Sequence, residues 1–312
     1  MSEKNRNFPE DYFILDFHGH RLNFLERPYL MSILNVTPDS FSDGGKFVRQ
    51  SSSEIDYDAA IESAEKMVRE GADMIDVGGE STRPGSLPVT AEEEIRRTAP
   101  LIERLVKKVS VPISIDTHKA DVAEAALKAG ASMVNDISGF RFDPGLPDVC
   151  RRYDAPAVLM HLREKPGEMS WSYNEHGKSD ALILDVKKYL SDALAIADAH
   201  RVSHTIIDVG FGFGKTVDGN YELLARLQEF QSLKRPILAG LSRKSFIGKA
   251  VATEAGEVAP VDERLYGTLA ANTIALLNGA NILRVHDTKP ARDAIKVFVA
   301  TKQALEKAGF AL

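Results

Sequence analysis

The chain has 312 residues, 44% of them hydrophobic, a formal net charge of −6 and a single cysteine. That length buries a full core, as one large α/β domain or two ordinary ones. The acidic balance argues against a nucleic-acid or anionic-membrane surface, both of which favour basic excess, and one cysteine excludes an intramolecular disulfide or a Cys-rich zinc site.

Met1 to Glu10 is polar and mixed in charge, and no apolar stretch approaches the roughly 20 residues that span a bilayer, so the expected location is cytoplasmic. Tyr12 to Phe24 alternates weakly around Gly19 and reads as a two-stranded hairpin ahead of the main fold. It holds His18-Gly19-His20, the spacing with which some metal-dependent hydrolases begin a metal site. At a hairpin tip, exposed histidines are the plainer reading.

From Leu30 onward one pattern repeats: a short apolar strand ending in a polar residue, then a loop, then an amphipathic helix. The strands are expected at 30–34, 74–77, 113–115, 133–134, 157–160, 205–207, 237–239 and 282–285. The helices are expected at 58–70, 91–109, 121–129, 181–199, 221–230, 264–277 and 291–308, with Gly71, Gly130, Gly279 and Gly309 as their stops. Cys150 falls on a helix face at 148–153, packed and inert. Short strands rich in Ile and Val that alternate with helices call for a parallel sheet covered on both faces. The economical solution is an α/β fold, a (β/α)8 TIM barrel with an N-terminal β-hairpin plugging its amino-terminal side. An open doubly wound sheet would carry a Gly-rich turn after its first strand, and Asn35-Val36-Thr37-Pro38 is not one. No Ser/Gly linker breaks the chain, so 1–312 reads as one domain, with 1–28 an extension and hairpin.

Strand ends of a barrel converge on one mouth. Here they are Asn35, Asp76, Asp116, Asn135, His161, Asp208, Ser242 and His286. Singly, each is an ordinary loop-anchoring residue; together they form a polar rim. Asp116, Asn135 and Asp208 are acceptors suited to a flat heterocycle with several N–H donors, such as a guanine-like or pterin ring. Arg284 and His286 alternate onto one face of the last strand and suit phosphate oxygens, unless Arg284 is spent on a structural pair with Asp287. In a closed barrel the first strand adjoins the last, so Asn35 with diphosphate oxygens would form a partial shell for Mg2+. Gly210-Phe211-Gly212-Phe213-Gly214-Lys215 lacks the Walker spacing, and no helix is expected to open at once after it. Its glycines would let backbone approach a ligand beside the flat face of Phe213. Lys244 and Ser245 follow a strand end and reach the mouth. The loops around Asp39 and around Arg83, the latter with Pro84 and flanking glycines, have the composition of covers.

These segments, LNVTPDSFSDGG, DVGGESTRPG, ISIDT, VNDISG, GFGFGK, SRKS and RVHD, occur in the order in which they occur in the dihydropteroate synthase family, which the chain resembles from about Leu30 to about Ala300. The resemblance implies a transferase that condenses 6-hydroxymethyl-7,8-dihydropterin diphosphate with 4-aminobenzoate, giving 7,8-dihydropteroate and diphosphate with Mg2+, in folate biosynthesis. By motif it implies that Asp116, Asn135, Asp208 and Lys244 hold the pterin. Asn35, Thr82, Arg284 and His286 would hold diphosphate, with Asn35 on the metal. Thr82, Arg83, Pro84, Phe213 and Ser245 would frame 4-aminobenzoate, where sulfonamides compete, and Asp39 would help stabilise the cationic pterin methylene. A homodimer through helices near the carboxyl terminus is also expected. The chain departs from the family at Leu162, Glu164 and Ser170, in the loop after the fifth strand, and at Val209. The same pocket without Arg284-Val285-His286 would suit a pterin-dependent methyltransferase; the pocket without chemistry would be a non-catalytic pterin-binding barrel.

Overall fold

The computed structural model describes residues 12–37, 55–81, 88–162, 181–252 and 256–310. Two short strands, β1 (Ile14–Phe17) and β2 (His20–Asn23), form an antiparallel hairpin. Its tip turns at His18 and Gly19, both at positive φ (47° and 78°), as a tight two-residue turn requires. The remaining strands are β3 (Tyr29–Asn35), β4 (Met74–Gly78), β5 (Ile113–Asp116), β6 (Met133–Asp136), β7 (Ala157–Met160), β8 (Thr205–Asp208), β9 (Ile237–Ala239) and β10 (Ile282–Val285). They pair in parallel in chain order and close, β10 against β3, into an eight-stranded barrel. This is the TIM barrel the alternation implies.

The outer layer is α1 (Tyr57–Arg69), α2 (Ala91–Leu105), α3 (Ala120–Lys128), α4 (Leu146–Arg152), α5 (Ala181–His200), α6 (Val217–Ala225), α7 (Ser245–Ala250), α8 (Leu265–Leu277) and α9 (Thr288–Lys307). Gly71, Gly130, Gly279 and Gly309 follow four of these helices at φ between 81° and 110°, the left-handed stop that glycine takes without steric cost. Three helices differ from the periodicity. α2 ends at Leu105, where Val106 caps it and the chain turns through Lys107 and Lys108. The sixth begins at Val217 because the Thr216 hydroxyl accepts the Gly219 amide, and beyond Ala225 the chain tightens into a 3-10 turn over Leu227–Leu233. α9 begins at Thr288, with Pro290 inside its first turn, where a missing N–H costs nothing. None of the described helices is long and apolar enough to cross a membrane.

Strand residues that point outward, such as Leu30, Leu34, Val77, Ile115 and Leu283, pack beneath the helices. Those that point inward at the lower ends, Met31, Met74, Met133, Val158, Ile206, Leu238 and Ile282, form a separate layer capped by Phe13, Leu15, Phe17, Leu22 and Phe24 of the hairpin. The hairpin is thus the floor of the barrel. His18, at its tip, reaches the Tyr153 carbonyl at 2.8 Å, so the His-x-His pair lies at the end opposite the polar strand ends, where it belongs to no shared site. Cys150 is buried in α4, and burial pushes its thiol up to about 12, which leaves it inert. Leu15 is fully buried in the floor. Leu15→Ala should cost about 2–5 kcal/mol in denaturant unfolding; a loss below about 1 kcal/mol would mean that the hairpin only rests on the barrel.

Candidate active site

Along each strand the inward side chains change from apolar at the bottom to polar at the top. The register sets Asn35 of β3, Gly78 of β4, Asp116 of β5 and Asn135 of β6 on one rung near the rim. Gly78 has no side chain for a reason: a Cβ there would lie 2.7 Å from the Asn35 Oδ1. One rung lower, Asp76 of β4 is fully buried.

Arg284 ties these strands together. Its Nε donates to the Asp76 Oδ2 and its Nη2 to the Asp116 Oδ2, both at 2.6 Å. The same Asp76 oxygen accepts the Asn135 Nδ2 at 2.9 Å. Burial lowers the Arg284 guanidinium, but Asp76 and Asp116 outweigh it and hold the pKa above its ordinary value. Burial pushes Asp116 up to about 7, against the pull of Arg284 and with the help of Asp76. The Oδ1 atoms of Asp76 and Asp116 and the Oγ of Ser114 are buried with no hydrogen-bond partner among the described residues, a set of acceptors open to a ligand or ordered water. The alternative pairing of Arg284 with Asp287 is excluded: Asp287 is held by Arg243, at 2.8 and 2.6 Å.

Arg243 sits at φ 57°, a conformation costing about 1–2 kcal/mol, and is pinned by Thr268 Oγ1, Arg264 and Asp287. That lock turns the next residue, Lys244, into the mouth. Its Nζ donates to the Phe211 carbonyl and lies 4.5 Å from the centre of the Phe213 ring. Burial brings Lys244 down to about 8, opposed by Asp208. Burial in turn raises Asp208, opposed by Lys244; its Oδ1 also accepts the Gly210 amide at 2.7 Å. Ser245 opens α7. His286 meets the Ser242 hydroxyl through Nδ1 at 3.0 Å.

The glycine loop is not a phosphate loop, although a helix does open soon after it, at Val217. Lys215 folds back to donate to the Gly210 and Phe213 carbonyls at 2.7 and 3.1 Å, closing the loop on itself. Any side chain at Gly210 would collide with the His161 carbonyl. Phe213 packs beside Ile137, Met160 and Leu162, an apolar wall on one side of the mouth. Leu162 is buried there, whereas 163–170 lie outside the described residues. Val209 is buried among the residues that pack beneath the helices.

The structure therefore brings together Asn35, Asp116, Asn135, Asp208, Phe213, Lys244, Ser245, Arg284 and His286 at one end of the barrel. Asp39, Thr82, Arg83 and Pro84 lie outside the described residues. Two features had no assignment from sequence. Asp76 was only one polar strand end among eight. Lys119 donates to Glu80, to Glu94 and to the Val89 carbonyl, each at 2.7 Å, and so ties the stretches on either side of 82–87 to α2. The spacing of Glu80 and Glu94 from Lys119 carries no periodic signal. Among the described residues no group of three or more His, Cys, Asp or Glu could hold a metal.

A closed barrel with a polar rim of carboxylates, carboxamides and one guanidinium is the architecture of the pterin-binding enzymes, and the family model described as "Pterin binding enzyme" matches residues 31–286. The dihydropteroate synthase of Escherichia coli K12 is 42% identical over 284 residues, covering 90% of this chain and 94% of that protein. The crystal structure of the Yersinia pestis dihydropteroate synthase in a sulfonamide drug complex superposes with a TM-score of 0.83 at 36% identity, over 93% of this chain and 99% of that one. That of Xanthomonas albilineans with 4-aminobenzoic acid gives 0.80 at 40% identity, over 93% and 98%. The chain belongs to the dihydropteroate synthase family, transferases of folate biosynthesis.

The buried Asp116 has a consequence for stability. With its pKa raised from 3.8 to about 7, the folded chain keeps a proton that the unfolded chain releases between those values, so this group lowers stability as pH rises through that window. Asp116→Asn, which cannot ionise, should gain stability relative to the parent between pH 4 and pH 7 in denaturant titrations. A difference independent of pH would show that Asp116 stays ionised throughout.

Proposed function

We propose that this mouth joins the pterin diphosphate to 4-aminobenzoate, forming the C–N bond of 7,8-dihydropteroate as diphosphate leaves. The observation that carries the reading is the buried Asp116–Arg284–Asp76 arrangement. It sets acceptors for a ring rich in N–H groups beside a cation able to meet a departing diphosphate. In this reading Asp116, Asn135, Asp208 and Lys244 hold the pterin, and Arg284 and His286 with Asn35 and Thr82 take the diphosphate. Thr82, Arg83, Pro84, Phe213 and Ser245 frame the aminobenzoate, and Asp39 steadies positive charge on the pterin methylene. No covalent nucleophile is needed: the residues orient two substrates and stabilise charge as it develops. The apolar wall of Ile137, Met160, Leu162 and Phe213 limits water around the reacting carbon.

Asn35 offers one hard carboxamide oxygen at the rim. That fits Mg2+ as an ion that shares its shell with diphosphate oxygens and water; among the described residues no all-protein site is present. When bound there, Mg2+ supplies charge neutralisation to the leaving diphosphate. The reading keeps 1–312 as one functional unit acting in the cytoplasm.

The defining experiment measures diphosphate release from the pterin diphosphate with Mg2+, with and without 4-aminobenzoate. Release matched by dihydropteroate is expected, and Arg284→Ala should lower kcat/KM by about 10²–10³; pterin binding without any product would leave a binding barrel instead. Asp39→Asn with unchanged turnover would remove Asp39 from the mechanism.

The proposal includes a homodimer. α8 exposes Tyr266 (82%), Ile274 (43%) and Leu277 (49%) at spacings that place them on one helical face. Light scattering should give twice the chain mass, and Tyr266→Asp should shift it toward one. A monomer at micromolar concentration would rule the dimer out.

A further inference from the structure

Within the reaction proposed above, the structure assigns a positioning role to Asp76: it fixes which branch of the Asn135 carboxamide faces the bound ring, and thereby the donor–acceptor pattern that the mouth selects. The inference rests on that reading of the mouth and goes one step beneath it, to a side chain one rung below the rim.

An asparagine at a recognition site is ambiguous, because rotation by half a turn exchanges a carbonyl acceptor for an N–H2 donor. Here the exchange is blocked from below. The Asn135 nitrogen donates to the Asp76 Oδ2 at 2.9 Å, and that same oxygen accepts the Arg284 Nε at 2.6 Å. The Arg284 Nε–H can only donate, so the oxygen it meets serves as an acceptor. Only the nitrogen branch of Asn135 can therefore face it, and the oxygen branch is left for the ligand. Asp76 is itself fully buried in β4, with strands on both sides of it in the barrel, so the restraint is a rigid one.

The consequence is chemical selectivity. With Asn135 Oδ1 fixed as an acceptor beside Asp116 and Asp208, the mouth offers acceptors from three strands and favours the edge of a 2-amino-4-oxo ring, which brings N–H donors. A 2,4-dioxo ring of the same shape sets a carbonyl where the 2-amino group would be and leaves a buried acceptor facing an acceptor. Asp76→Ser puts a hydroxyl, which both donates and accepts, near Asn135, whose carboxamide can then turn to meet either ring.

The test measures binding of 6-hydroxymethylpterin, of its 2,4-dioxo counterpart and of inorganic diphosphate to the parent and to Asp76→Ser by calorimetry. Asp76→Ala, which offers Asn135 no fixed acceptor, serves if the first variant does not fold. The parent should prefer the 2-amino ring. The variant should lose about tenfold or more of that preference while diphosphate binds as well or better, because Arg284 has lost one of its two competing carboxylates. An unchanged preference, or equal weakening of all three ligands, would overturn the inference and leave Asp76 as a structural ion-pair partner. A parent that bound neither ring would instead overturn the reaction on which it rests.

Discussion

The structure depends on one guanidinium placed between two carboxylates inside a closed sheet. Arg284 stands on the last strand, Asp76 and Asp116 on the second and third of the barrel, and hydrogen bonds can join them only because β10 pairs with β3. Two buried negative charges share one positive charge, so the arrangement is short of a cation and one carboxylate is held well above its usual range. Such a site is costly to build and responsive to whatever enters it. A ring that brings N–H donors relieves the carboxylates, and an anion relieves the guanidinium. In the proposed function the two halves of a pterin diphosphate are that pair of partners.

What surrounds the ion triad is arranged to keep it in place. The Gly78 gap admits Asn35, the lock on Arg243 aims Lys244, and Lys215 closes the glycine loop on its own carbonyls. In the last two cases polar contacts fix the backbone, which leaves the side chains in the mouth to face a ligand. At one point on the rim Lys119 fastens Glu80, Val89 and Glu94 together.

Much of this was legible in the sequence. Strands bury both faces and so read as short apolar runs, and their polar ends mark the rim. The glycine stops are visible because a left-handed residue is needed after a helix. The first half of the 3-10 turn at Leu227–Leu233 was read as helix because its apolar spacing hardly differs over one turn. Thr288 and Pro290 hid the start of α9, where propensity gives way to the position of Asp287 beside Arg243. Least legible were the partners of charges. Arg284 lies 208 positions from Asp76 and 168 from Asp116, while Asp287 is three residues away and pairs elsewhere. No local pattern encodes a choice that the closure of the sheet makes. Asp39 and Thr82 to Pro84, outside the described residues, rest on motif alone.

The hairpin floor carries a last consequence. Phe13, Leu15, Phe17, Leu22 and Phe24 seal the lower layer against solvent, which turns the barrel into a cup with a single rim. Traffic through such a vessel is last in, first out: whatever seats deepest, against Asp76 and Asp116, must enter before anything that stands above it and cannot leave while that neighbour stays.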